Sequence, residues 1–374
     1  MNKDRIFLSS PHMSEEGYEL QYIEDAFESN WIAPLGKNVN EFEKELAAML
    51  NIKAAVSLCS GTAAIHMALK AAEVEAGDLV FCQSLTFSAS ANPIIYQNAI
   101  PVFIDSDYET WNMSYSALKE AFDKYERIGL KPKAVIVVHL YGLSADLDKI
   151  LELCRSKEVT LIEDAAESLG TLYRNRYTGT IGDYGVFSFN GNKIITTSGG
   201  GMLVSEKEER LHKVSFWSTQ AREPERYYQH CELGYNYRMS NVLAGIGRGQ
   251  LKVLEKRIQK KKYIFDYYRS ELCDLDITMM PINDFNSPNY WLSCIRLKGK
   301  LKPLEVILGL EKENIEARHI WKPMHLQPFF AKYDYIGEDK AEKIFTTGLC
   351  LPSDTKMSEE DLARVTKTLK EIWM

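Results

Sequence analysis

Ala134-Val135-Ile136-Val137-Val138, the helical Leu147 to Lys157 and Thr160-Leu161-Ile162-Glu163-Asp164 decide the fold of this 374-residue chain. Two near-continuous β-branched runs joined by a helical pattern describe two parallel strands with a crossover between them. The alternation extends upstream. Ala54-Ala55-Val56-Ser57-Leu58 precedes the helical Ala63 to Ala72, Leu79-Val80-Phe81-Cys82 precedes Ser88 to Gln97, and Pro101-Val102-Phe103-Ile104-Asp105 precedes Tyr115 to Tyr125. Strands that are apolar throughout are buried on both faces, so the expected fold class is α/β, a mostly parallel sheet with helices on both sides. Ligands of such sheets bind outside the carboxyl ends of the strands. Ser60, Thr86, Asp105, His139 and Asp164 stand at or just beyond such ends.

Further along, Leu243, Ile246, Leu251, Leu254, Ile258, Ile264 and Tyr267 recur at mixed three- and four-residue spacing, which predicts one long helix from about Asn241 to Leu272. A smaller α/β unit is expected after Asp274, with Tyr290 to Arg296 and Ile315 to Trp321 as strands and Pro303 to Glu313 and Glu359 to Trp373 as helices. The resulting division is a large domain with its N-terminal segment over 1–250, then the linking helix and a small C-terminal domain over 251–374. Gly245-Ile246-Gly247-Arg248-Gly249 has the look of a dinucleotide fingerprint, yet it lies inside the helical pattern and follows no strand, so it reads as helix packing.

A composition of 45% hydrophobic and 26% charged residues is that of a globular domain, and a net charge of −7 argues against a general nucleic-acid binder. No apolar run approaches the ~18–20 residues of a membrane span. Met1 to Ser9 carries Lys3, Asp4 and Arg5 in place of a signal peptide's apolar stretch, so the chain reads as cytoplasmic with no membrane partner. Seven scattered cysteines without a CxxC, and histidines without an i, i+4 pair, predict no metal centre.

The chemistry centres on Lys193, in Phe187-Ser188-Phe189-Asn190-Gly191-Asn192-Lys193 followed by Ile194 to Gly201. An amine in a polar, glycine-rich stretch after one strand, with Asp164 ending another, is the pairing a pyridoxal phosphate enzyme needs: a lysine to hold the cofactor covalently and a carboxylate to keep its ring nitrogen protonated. Ser60-Gly61-Thr62, between a strand and a helix, points backbone N–H groups at an anion, although Ser and Thr are also common caps. With Ser188 it forms a candidate phosphate cup. Glu167, one turn after Asp164, is placed to face the same cavity or to sit exposed on its helix. Phe87 is a candidate to stack on a flat ring or to join the core. Gly199-Gly200-Gly201 lets the backbone pack closely behind the lysine.

Five ordered motifs carry a resemblance. Ser60 to His66, Glu163 to Gly170, Ser188-Phe189 with Lys193 and Gly200-Gly201, Gly234 to Ser240, and Trp321-Lys322-Pro323-Met324-His325 together resemble the DegT/DnrJ/EryC1/StrS family of nucleotide-sugar aminotransferases, from Pro11 to Pro352. The resemblance implies a type I aminotransferase fold, working as a homodimer with sites at the subunit interface and with pyridoxal 5′-phosphate as cofactor. It implies Lys193 as covalent anchor, Asp164 as partner of the ring nitrogen, Glu167 near the ring hydroxyl, Gly61, Thr62 and Ser188 on the phosphate, and Phe87 on the ring. Asn236 would reach the phosphate of the neighbouring subunit's cofactor.

Within the family, Ser29 to Gly36, Asn190 to Gly201 and Ser218 to Glu223 are similar to enzymes that aminate C4 of a UDP-linked 4-keto-6-deoxy-N-acetyl sugar, as in bacillosamine-type pathways. That likeness implies substrate contacts from Asn30, Trp31, Ile32 and Ala33, with Arg318 and His325 also on the substrate side and L-glutamate as amino donor. Ser198-Gly199 stands where many members have Gly-Glu, a departure shared by the bacillosamine-type subgroup, and His319 stands where many have Pro. The alternatives are a GDP- or dTDP-linked keto sugar (perosamine-type) and a non-catalytic regulator on the same fold. A sugar 3-dehydratase is disfavoured because such relatives replace the lysine with histidine.

Overall fold

The computed structural model describes Asp4–Trp373. Strands β1 (Ala54–Leu58), β2 (Leu79–Gln83), β3 (Ile100–Ile104), β4 (Pro132–Val138), β5 (Thr160–Asp164), β6 (Tyr184–Ser188) and β7 (Gly201–Ser205) form one sheet in the order β1-β7-β6-β5-β4-β2-β3, with Tyr335–Ile336 added beyond β3. Only β7 runs against its neighbours. That one reversal positions the site. Ser188 at the end of β6 pairs with Gly201 at the start of β7, which also pairs with Leu58 at the end of β1. The loop between β6 and β7, carrying Lys193, therefore turns back at the edge where Val138 and Asp164 also end as partners.

The apolar strands are explained by two separate clusters. Val80, Cys82, Ala134, Ile136 and Ile162 pack with Ile65 and Leu69 of the helix Gly61–Ala71. Their sequence neighbours Phe81, Val135, Val137 and Leu161 pack on the opposite face with Leu118, Phe122 and Ile150. Alternate side chains thus enter different cores, each full burial contributing about 1.5–3 kcal/mol.

Two expectations are corrected. Ser88 to Gln97 is a single 3₁₀ turn, Ser88–Ser90, followed by a short helix, Asn92–Tyr96. Pro93 in that helix's first turn lacks the N–H that an earlier start would need. The long helix over 241–272 is two helices, Asn241–Leu251 and Leu254–Glu271. They break because they serve different partners. A Cβ on Gly247 would fall 2.5 Å from the Phe42 ring and one on Gly249 2.6 Å from the Glu19 nitrogen, so the glycine run lets the first helix press on the two N-terminal helices. Ile264 and Tyr268 of the second, with Leu272 at its C-terminal cap, join the core of the C-terminal unit.

That unit is an antiparallel sheet in the order Ile277–Met279, Ser293–Leu297, Gly348–Leu351, Arg318–His319, sharing its core with the helices Pro303–Lys312 and Glu359–Trp373. The strands expected at 290–296 and 315–321 are shorter than predicted. Tyr290, at φ 54°, interrupts the chain before the first, and Trp291 and Trp321 turn into the site instead. Among the described residues three pairings cross the division drawn at residue 250: Ile6 bridges Ile315, Tyr335–Ile336 pairs with β3, and Asn286–Ser287 pairs with Leu172–Tyr173.

Candidate active site

The carboxyl edge of the sheet opens into a cavity of about 530 Å³ lined by Gly61, Thr62, Phe87, Asp164, Glu167, Ser188, Lys193 and Arg318. Its walls come from sequence-distant segments. At one of them, Ser60 Oγ accepts from Ala63 N at 3.0 Å and caps the helix Gly61–Ala71. The N–H groups of the first turn beyond that cap have no acceptor within the helix, which makes them donors toward an anion. Gly61 is a cradle that a side chain would fill, because a Cβ there would lie 3.0 Å from Ser188 Cβ. Gly201 brings β7 equally close, its own Cβ falling 2.4 Å from the Ser60 carbonyl carbon.

Glu163 and Asp164 are adjacent and point to opposite faces of β5, which gives them different roles. Glu163 accepts from Gly179 N at 2.8 Å, Ile181 N at 2.6 Å and His139 Nε2 at 2.9 Å. Ala145 N donates to His139 Nδ1 at 3.2 Å, so the ring proton sits on Nε2. Burial raises the Glu163 pKa, but the His139 bond and the backbone donors outweigh it and hold the carboxyl below its ordinary value. This pair is a structural brace. Asp164, 5% exposed, faces the cavity; its Oδ2 accepts from Ser90 Oγ at 2.6 Å and its Oδ1 from Ala166 N at 3.1 Å. Thr86 Oγ1 lies 2.7 Å behind Ser90 Oγ and completes the chain of hydroxyls.

Lys193 Nζ is 3.5 Å from Glu167 Oε1 and 4.1 Å from the centroid of the Trp291 ring. Glu167 also accepts from Tyr141 N at 2.7 Å and Trp321 Nε1 at 3.2 Å. Burial raises the Glu167 pKa, against the pull of Lys193 and the Tyr141 N–H. Tyr141 stacks between Trp291 and Trp321, with centroids at 6.1 and 6.0 Å. Phe87 is half exposed at the mouth, 5.2 Å from the Trp321 ring. Arg318 holds Glu316 Oε1 at 2.6 Å on the rim.

Other expected site residues lie elsewhere. Asn236 is exposed in a bridge with Thr219. Asn30, Trp31, Ile32 and Ala33 are exposed after the helix Tyr18–Glu28, fixed through Asn241 Nδ2 on Trp31 O at 2.6 Å. His325 is engaged between the C-terminal segment and the large sheet: Nδ1 lies 2.7 Å from Ser84 Oγ, just past β2, Nε2 3.1 Å from Glu342 Oε1, and its ring stacks on Tyr335. Conversely, Ser90 and Trp291 belong to the site although sequence reasoning gave them no part. Ser90 lies inside the segment read as a helix, and no motif marked it or Trp291.

The family model for DegT/DnrJ/EryC1/StrS aminotransferases matches residues 13–370. The chain belongs to that family. EpsN of Bacillus subtilis (strain 168), which carries the provisional name of a pyridoxal phosphate-dependent aminotransferase, is 52% identical over 99% of this chain and 96% of its own. GDP-perosamine synthase of Escherichia coli O157:H7 is 35% identical over 96% of each chain. The UDP-4-amino-4,6-dideoxy-N-acetyl-β-L-altrosamine transaminase of Campylobacter jejuni is 32% identical over 90% of each. The crystal structure of a DegT/DnrJ/EryC1/StrS aminotransferase from Brucella abortus superposes with a TM-score of 0.90 at 26% identity, covering 96% of both chains. The family cofactor is pyridoxal phosphate, and the donor set fits it: an amine, a buried carboxylate at a strand end, and a glycine cradle at a helix N-terminus. Among the described residues no group of acidic, histidine or cysteine side chains could hold a metal, and no helix is long and apolar enough to cross a membrane.

Proposed function

We propose that this aminotransferase moves the amino group of glutamate to C4 of a UDP-linked 4-keto-6-deoxy-N-acetyl sugar, for bacterial glycan or exopolysaccharide synthesis. The observation that carries the reading is the convergence of Lys193, Glu167 and Asp164 on one cavity beside Gly61, Thr62 and Ser188. When bound, pyridoxal phosphate supplies an electron-accepting ring that stabilises charge at the carbon losing its proton. Lys193 Nζ anchors the cofactor between turnovers. Once free, it would carry the proton from the donor's α-carbon to the cofactor carbon bearing the transferred nitrogen in the first half-reaction, and from that carbon to C4 of the sugar in the second. Asp164, oriented by Ser90 and Ala166, fixes positive charge at the ring nitrogen. Glu167 holds the amine on the cavity side, and Gly61, Thr62 and Ser188 bind the phosphate. Phe87 covers the ring, and Arg318 at the rim suits an anionic group of either substrate.

Asn236 and the segment Asn30 to Ala33 are exposed and stand outside this chain's own cavity. The reading assigns them to the site of a second copy, in a homodimer with sites at the interface. The sugar nucleotide has one serious competitor. The GDP-perosamine relative is 35% identical against 32% for the UDP-sugar relative, which favours a GDP-linked 4-keto sugar as the second reading. Incubation with glutamate and UDP-, GDP- and dTDP-linked 4-keto sugars, with the new amine located by NMR, decides between them. The expected result is a kcat/KM for the UDP sugar at least about tenfold above the others. A preference for GDP or dTDP overturns the choice of sugar, and Lys193→Ala working at the wild-type rate overturns the site.

A further inference from the structure

Lys261, on the helix Leu254–Glu271, is only 2% exposed. Its amine meets three uncharged oxygens on three separate segments: Trp291 O at 2.8 Å, Ser353 O at 2.8 Å and Ser9 Oγ at 3.3 Å. An ammonium has three donors, and these oxygens match them one for one. Burying such a group is costly; burial, opposed by Asp354 and reinforced by Arg257, brings the Lys261 pKa down to about 7. A methionine would fill the same length without that penalty, so the hydrogen bonds are what a lysine adds here.

What the amine holds is informative. While the Trp291 carbonyl accepts from Lys261, the Trp291 N–H donates to Asn289 Oδ1 at 2.9 Å and its indole N–H donates to Asn192 O at 2.8 Å. Both polar ends of the Trp291 backbone are pegged, and the side chain grips the residue just before Lys193. The same indole presents its face to Lys193 Nζ and stacks on Tyr141, whose N–H donates to Glu167. A narrow polar crevice behind the loop has Lys193 on one wall and Lys261 on another.

We propose that Lys261 is a positioning residue for Lys193, acting through Trp291: its three hydrogen bonds fix the indole that aims the Asn192–Lys193 backbone into the cavity. The proposal rests on Lys193 being the cofactor's anchor. A mere staple between the N-terminal segment and the C-terminal unit would affect stability and leave the chemistry of Lys193 alone.

The test uses holoenzyme without substrates and follows the visible absorption band of the lysine-bound cofactor as a function of pH. Lys261→Met and Trp291→Phe are each expected to move the apparent pKa of that band by about half a unit or more. The double variant is expected to move it no further than the larger single variant, because the two lie on one path. A wild-type titration in Lys261→Met overturns the proposal whatever its melting temperature. Trp291→Phe keeps an aromatic ring but loses the indole N–H that grips Asn192 and shrinks the face toward Lys193 and Tyr141, so a wild-type titration there overturns the relay even if Lys261→Met does not fold. Additive shifts in the double variant do the same. Lys193→Ala is the control: if it retains the band, the assignment of Lys193 has failed, and if it loses the band while the other variants titrate normally, only the relay has.

Discussion

Replacing Ser90 by alanine removes one hydroxyl from the edge of the sheet and isolates one carboxylate oxygen. Ser90 Oγ donates to Asp164 Oδ2 at 2.6 Å, and Asp164 is 5% exposed, so water has little access to take its place. A hydrogen bond to a charged group contributes about 1.5–3 kcal/mol. Ala166 N still holds Oδ1 at 3.1 Å, and Thr86 Oγ1, left without its partner, stays in the region, so the lower end of that range applies. About 1.4 kcal/mol is a factor of ten. Ser90→Ala is therefore expected to lose about tenfold in kcat/KM and to release cofactor faster, because the carboxylate proposed to partner the ring nitrogen is free to turn. Thr86→Val, one bond further out, is expected to lose less. Steady-state kinetics with glutamate and a 4-keto nucleotide sugar, together with fluorescence of released cofactor on dilution, measure both effects. If Ser90→Ala keeps kcat/KM and cofactor retention within twofold of wild type while its melting temperature falls, Ser90 is a core hydroxyl and the orienting role is refuted.

Two further outcomes follow from the geometry. His66 is buried among Tyr96, Tyr235 and Tyr237, and burial, helped by the nearby Lys70 charge, lowers its pKa to about 4 from 6.5. Below pH 6.5 the unfolded chain takes up a proton that the folded chain refuses until about pH 4, so this group's contribution to stability falls as pH drops through that window, by up to about 3 kcal/mol. Urea unfolding of His66→Phe at pH 7 and pH 4.5 is expected to show a smaller loss on acidification than wild type; an equal loss refutes the assignment. Gly247→Ala places a Cβ 2.5 Å from the Phe42 ring and is expected to destabilise by about 1–3 kcal/mol through overpacking, read as a lowered denaturation midpoint; an unchanged midpoint would show that the helix Asn241–Leu251 is loosely seated.

The fold was legible where local pattern and global role agree. The runs at Ala134–Val138 and Thr160–Asp164 are strands because each buries both faces, and that is written in their composition. The single helix expected over 241–272 failed because its periodicity continues across Lys252 and Val253 while its packing partner changes, and a hydrophobic pattern does not name its partner. The same distinction runs through the site. Lys193, Asp164, Glu167, Gly61 and Ser188 were singled out from short motifs, and the structure brings them to one cavity. The groups that make those residues competent come from far away: Ser90 reaches Asp164 across 74 positions, Trp291 reaches Asn192 across 99, and Trp321 reaches Glu167 across 154. The bond from Trp291 reaches the lysine loop where the reversed strand β7 folds that loop back onto the edge where β5 ends. Reading the lysine from its neighbours in sequence identifies what it can do; its neighbours in space decide how it is held, which is why the orienting residues Ser90 and Lys261, and not a further motif, are where the proposed mechanism is most exposed to experiment.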